Sequence, residues 1–127
     1  SEAWLNEFDK VRLPYNINIL TQATAEFALA HKEIFDNQTA EISKERTELL
    51  NALRNIDVLE VFPSSANFIL LRTPKGKTDQ IFAGLKEEGV LIKNLNPAGG
   101  FLQDCLRVTV SKLEENIAFL TALKKIL

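Results

Sequence analysis

The chain has 127 residues, 46% hydrophobic and 25% charged, a balance that suits one globular domain and excludes a disordered or fibrous chain. A net charge of −2 gives no electrostatic reason to expect nucleic acid or a membrane surface as a partner. One cysteine, Cys105, excludes an internal disulfide or a cysteine zinc site, and no apolar run approaches the roughly 18–20 residues that span a bilayer, so a reducing, cytoplasmic setting is expected.

The start, Ser1-Glu2-Ala3-Trp4, lacks an initiator Met and has no signal-peptide character, so the chain reads as processed or cut from something longer. Residues 1–18 read as a connector. Trp4, Leu5 and Phe8 fall on one face of a short helix, and Pro14 disfavours helix at Leu13, leaving 10–16 extended. Leu20, Ala23, Phe27 and Ala30 recur at helical spacing and predict a helix over 19–30. A longer helix follows over 32–55, with Phe35, Ile42, Leu49, Leu53 and Ile56 as its apolar stripe. Glu41, Lys44, Glu45, Glu48 and Arg54 then form its solvated side.

A sheet begins after this helix. Residues 58–62 predict a strand stopped by Pro63-Ser64-Ser65, and 66–72 a second stopped by Thr73-Pro74-Lys75-Gly76. Their short connector makes them antiparallel neighbours. Thr78 is placed to cap a helix that carries Ile81, Phe82 and Leu85 inward and ends at Gly89. A third strand over 90–93, a loop over 94–103 and a fourth strand over 104–111 follow. Ser111 and Glu114 make a Ser-x-x-Glu capping box for a last helix that buries Leu113, Ile117, Leu120, Leu123 and Leu127. The expected fold is α+β: a small, mostly antiparallel four-stranded sheet with helices on one face. The pairing of the third and fourth strands stays open.

The fourth strand holds the residue of greatest chemical interest. Leu106, Val108 and Val110 alternate onto one face and belong in a core, which puts Arg107 on the other face in mid-strand. A permanent cation there lies in water or awaits an anion. If Phe68 and Leu70 point inward, then Asn67, Ile69 and Leu71 share the open face with Arg107. Ile69 and Leu71 are too apolar for solvent, so that face needs cover from the long helix, from residues 1–18 or from another domain. Equally open is full internal cover, with Arg107 paired to a carboxylate such as Glu60. Other chemistry is absent from the pattern. His31 stands alone and makes no metal site, Gly99-Gly100 lacks phosphate-loop spacing, and Cys105 has no adjacent His and reads as a buried, inert thiol.

Four stretches together resemble one family. Arg12-Leu13-Pro14-Tyr15-Asn16-Ile17-Asn18 with Thr21-Gln22-Ala23, Glu45-Arg46 with Leu49 and Leu53, and Pro63-Ser64-Ser65-Ala66-Asn67-Phe68-Ile69-Leu70 are three of them. The fourth is Gly89-Val90-Leu91-Ile92-Lys93 with Cys105-Leu106-Arg107-Val108-Thr109-Val110-Ser111 and Glu114-Glu115-Asn116. Over nearly its whole length the chain is similar to the C-terminal part of the histidinol-phosphate aminotransferases, pyridoxal-phosphate enzymes of the aspartate-aminotransferase fold type. The resemblance implies an interdomain connector over 1–18 and the small domain over 19–127, with the large cofactor-binding domain of the same chain absent. It implies that Arg107 binds the phosphate of a phosphorylated small-molecule substrate, with Asn67 as a neighbour in that site. Lys93 stands where the family often has a second Arg; it keeps the charge and loses the two-pronged fork.

The Schiff-base lysine motif of the family is missing, as are the residues that hold its cofactor. The fragment is therefore expected to carry no catalytic residue, to bind no pyridoxal phosphate and to be inactive alone. The full-length protein is expected to be a homodimer in histidine biosynthesis. The alternatives are the small domain of another aminotransferase or of a phospho-amino-acid decarboxylase of the same fold, or a standalone ligand-sensing or interaction domain.

Overall fold

A computed structural model of the chain describes residues 1–13 and 17–127. The part of the expected extended stretch that falls on 14–16 lies outside them. The chain divides into two compact units, Ser1–Asn37 and Gln38–Leu127. The first holds helices α1 (Glu2–Asp9) and α2 (Ile19–Ala30) and the start of α3 (Lys32–Arg54). α1 carries the Trp4, Leu5 and Phe8 face read from the sequence and is followed by a turn. Asn18 caps α2, its side-chain oxygen accepting the Thr21 N–H at 2.9 Å.

The second unit holds the rest of α3, then β1 (Glu60–Val61), β2 (Phe68–Arg72), α4 (Thr78–Glu87), β3 (Lys93–Asn94), β4 (Cys105–Thr109) and α5 (Leu113–Ile126). Two 3-10 turns, Asn96–Ala98 and Gly100–Leu102, bridge β3 and β4. The strands form a four-stranded sheet in the order β1-β2-β4-β3, every neighbouring pair antiparallel. The pairing the sequence left open is thereby decided, and β4 sits inside the sheet. One face of it meets Leu49, Leu50 and Leu53 of α3, Ile81 and Leu85 of α4, and Phe119, Ala122 and Leu123 of α5. The α+β expectation, with helices on one face, holds.

The faces of β2 are the reverse of the expected ones. Ile69 and Leu71 are fully buried against the helices, while Phe68 and Leu70 turn to the far side with Arg107. Both alternations of this strand are apolar, so its own pattern does not choose. Register does: Ile69 lies opposite Val108 and Leu71 opposite Leu106, and cross-strand partners share a face.

Three helix readings change for a common reason, a buried polar partner. Glu45, expected in solvent, is buried and accepts a hydrogen bond from the Asn116 amide at 3.0 Å. Asn116 also accepts the Ser111 N–H at 3.1 Å and donates to the Ser111 carbonyl at 2.9 Å. This clamp ties the start of α5 in place of the Ser111/Glu114 capping box; the N-cap residue is Lys112 and makes no side-chain cap bond. α5 is rotated accordingly. It buries Asn116, Phe119, Ala122 and Leu123, and leaves Leu113, Ile117 and Leu127 exposed. Thr78 does not cap α4 either; its hydroxyl is buried against Thr73 and Asp104.

α4 ends where expected. Gly89 takes φ +79°, and the Val90 N–H reaches the Leu85 carbonyl at 2.8 Å in a Schellman stop. A Cβ at Gly89 would meet no atom within 4 Å, so substitution by Ala carries only the backbone penalty. Gly89→Ala is expected to destabilise the fold by about 1 kcal/mol, read from the urea unfolding midpoint. The strand expected over 90–93 is confined to Lys93–Asn94, paired with Arg107 and Leu106.

Candidate anion-binding site on the open sheet face

Arg107 is the central residue of β4, whose Leu106 and Val108 are anchored in the core. Its own side chain is exposed on the face the helices leave bare. Leu70 of β2 and Lys93 of β3 lie directly opposite it on either side. The guanidinium sits over the Phe68 ring, 5.1 Å from its centroid, a cation–π contact that orients the group without neutralising it.

The carboxylate considered for Arg107 is engaged elsewhere. Glu60 pairs with Arg72 at 2.5 Å, as their cross-strand register in β1 and β2 dictates. Arg72 also donates to the carbonyls of Gln103 (3.4 Å) and Phe101 (3.1 Å) and lies over the Phe62 ring. The hydrogen bond that Arg72 donates to Glu60 is the main cause that raises the Arg72 pKa above its ordinary value. Arg72 is therefore a strut that holds the 100–103 loop over the sheet end. That loop covers Cys105, whose buried thiol lies 3.5 Å from the Gln103 carbonyl. Nothing in the linear pattern singled Arg72 out; its place at a hairpin end opposite Glu60 was the available signal.

Among the described residues neither Arg107 nor Lys93 has an ion-pair partner. Directly opposed residues on one sheet face have their Cβ atoms about 5 Å apart, and like charges there repel. An anion bridging both groups relieves that repulsion. The planar fork of Arg107 suits a phosphate or carboxylate, and Lys93 adds a point charge.

Asn67 is placed differently from the sequence reading. It lies in the bend before β2, exposed, and its carbonyl accepts the Val110 N–H at 2.8 Å. Continued register sets it opposite Val110, so strand alternation does not bring it onto the face of Arg107. His31 is the C-cap of α2, and no group of His, Cys, Asp and Glu among the described residues is arranged to hold a metal.

Residues 1–123 match the family model for aminotransferase class I and II. The chain belongs to that family. It is 56% identical over 122 residues to histidinol-phosphate aminotransferase 2 of Nitrosococcus oceani, an alignment covering 96% of this chain and 34% of the relative. It is 46% identical over 125 residues to the histidinol-phosphate aminotransferase of Chromobacterium violaceum, covering 98% and 35%. This aminotransferase chain thus spans about a third of the length of the curated relatives it matches. Among solved structures it is similar to the histidinol-phosphate aminotransferase of Clostridium acetobutylicum, with a TM-score of 0.78 at 25% identity over 92% of this chain and 35% of that one. It is also similar to the L-threonine-O-3-phosphate decarboxylase of Porphyromonas gingivalis, with a TM-score of 0.75 at 25% identity over 98% and 39%.

Membership implies pyridoxal phosphate in the full-length aminotransferase. The described residues of this chain do not fit that group by themselves. Every lysine is exposed, so none is enclosed in a pocket that would hold an aldehyde against its amine. The buried Asp104 carboxylate is already occupied by the Gly76 N–H and the Thr78 hydroxyl, not turned toward an open face. No described helix is long and apolar enough to cross a membrane.

Proposed function

We propose that this chain is the C-terminal small domain of a histidinol-phosphate aminotransferase. The full-length enzyme transfers an amino group between glutamate and imidazole-acetol phosphate, and Arg107 holds the substrate phosphate. The observation that carries this reading is the uncompensated Arg107 on the helix-free face, with Lys93 beside it. The names of the relatives supply the substrate class. Binding the far end of the substrate supports amino transfer because it fixes where the amine lies before reaction. Asn67, exposed in the bend before β2, is a secondary candidate contact. The large domain of the same polypeptide is the proposed cover for Phe68, Leu70 and Arg107.

The test compares histidinol phosphate with histidinol as amino donor in the full-length enzyme. A strong preference for the phosphorylated donor, collapsing in Arg107→Gln, is expected. A preference undiminished in that variant assigns the phosphate to other residues. A phospho-amino-acid decarboxylase of the same fold is the second reading, favoured by the likeness to the Porphyromonas gingivalis structure; release of carbon dioxide from a phosphorylated amino acid separates the two.

A further inference from the structure

β3 is two residues long and lies at the sheet edge. So short a ladder does not by itself hold Lys93 against Arg107, because an edge strand frays from its free side. The connection from β3 to β4 carries a row of hydrogen bonds that does. The Asn94 amide donates to Asp79 Oδ1 at 2.7 Å, and the Asn96 amide donates to Asp79 Oδ2 at 3.0 Å. Asp79 lies in the first turn of α4, whose Ile81 and Leu85 are core residues, so it is a fixed post. Asn94 Oδ1 accepts the Asn96 N–H at 2.9 Å. Asn96 Oδ1 in turn accepts the Asp104 N–H at 2.9 Å. Asp104 is the one described non-glycine residue with positive φ, +58°, and stands immediately before β4.

We infer that Asn96 is a positioning residue for the anion site. Its amide joins Asp79 on α4 to the backbone at the entry to β4, and so sets the spacing of Lys93 and Arg107. The inference rests on the phosphate reading above and adds to it a group that never touches the substrate. Each of the three side chains has a defined sense in this row. Asp79 accepts twice, Asn94 donates and accepts, and Asn96 donates with one end and accepts with the other. An Asp79→Asn/Asn96→Asp exchange preserves every bond: Asn at 79 accepts from Asn94 and donates to position 96, whose carboxylate still accepts the Asp104 N–H.

The experiment uses the full-length enzyme with histidinol phosphate as the variable substrate. Asn96→Ala is expected to raise KM about five- to tenfold while kcat changes less than about twofold, because loosened geometry weakens grip on the remote phosphate. On an Arg107→Ala background the same change is expected to add less than about twofold, the mark of two groups acting as one. The Asp79→Asn/Asn96→Asp exchange is expected to return KM to within about twofold of the parent, which general loss of stability does not predict. An unchanged KM in Asn96→Ala, a full rise that persists on the Arg107→Ala background, or an exchange that fails to restore KM overturns the inference. If Asn96→Ala does not fold, Asn94→Ala, which loses one bond to Asp79 and the acceptor for the Asn96 N–H, is read by the same criteria. No effect of Arg107→Ala alone instead overturns the phosphate reading, so the two failures are distinct.

Discussion

Arg107→Ala in the full-length aminotransferase is expected to raise KM for the phosphorylated substrate about a hundredfold, with kcat within about threefold. A two-pronged, charge-assisted contact to phosphate is worth about 2–3 kcal/mol net, and each 1.4 kcal/mol is a factor of ten. On the proposed phosphate contact the loss falls on KM, because a phosphate remote from the bonds that change is bound alike before and during reaction. Arg107→Lys keeps the charge and loses the fork, so an intermediate rise of about tenfold is expected. The position tolerates Ala structurally: the side chain is exposed, and its guanidinium lies over the Phe68 ring with no ion-pair partner among the described residues. Steady-state kinetics of the three proteins at fixed ionic strength check this. Equal KM values for Arg, Lys and Ala would remove Arg107 from the site.

The second large effect concerns stability and lies at Asp104. Its buried carboxylate accepts the Gly76 N–H at 2.9 Å and the Thr78 hydroxyl at 3.2 Å, while its own carbonyl accepts the Thr73 N–H at 2.9 Å. Its backbone is left-handed, which Asn and Asp tolerate better than other side chains. Asp104→Ala strips the acceptor from two donors and adds the left-handed penalty, a combined cost of about 3 kcal/mol. Asp104→Gly removes the penalty and keeps the loss of the acceptor, about 2 kcal/mol. Asp104→Asn keeps both the acceptor oxygen and the backbone preference and costs about 1 kcal/mol or less. Urea unfolding of the series checks the order Asn, Gly, Ala. A Gly variant as stable as the parent would mean that the backbone alone matters there.

The place of Arg107 on the exposed sheet face was legible in the linear chain. Arg107 follows from strict alternation, because Leu106, Val108 and Val110 leave no choice of face. Lys93 was singled out by resemblance, and register then placed it opposite Arg107. Asn67 was assigned together with Ile69 and Leu71, so the reversal of the β2 faces takes it off the face of Arg107, opposite Val110. Glu45 was read as solvated because nothing in α3 reveals an amide 71 positions later in the chain. Asp104, Asn96 and Asp79 were invisible as a set for the same reason: their bonds cross 8 and 17 residues, and each residue alone has the composition of a loop or a helix start.

What the linear chain settles by itself about this aminotransferase-family protein is therefore the kind and order of its elements, the core face of β4 and the cation on its reverse. These depend on local period and composition, which act over one or two turns or a single strand. Tertiary structure alone decided which face of β2 is inward, how far α5 is rotated, and that Glu60 belongs to Arg72 and not to Arg107. Each of those turns on a pairing between distant segments. Where both faces of an element are apolar, or two cations compete for one carboxylate, only the register of the assembled sheet breaks the tie.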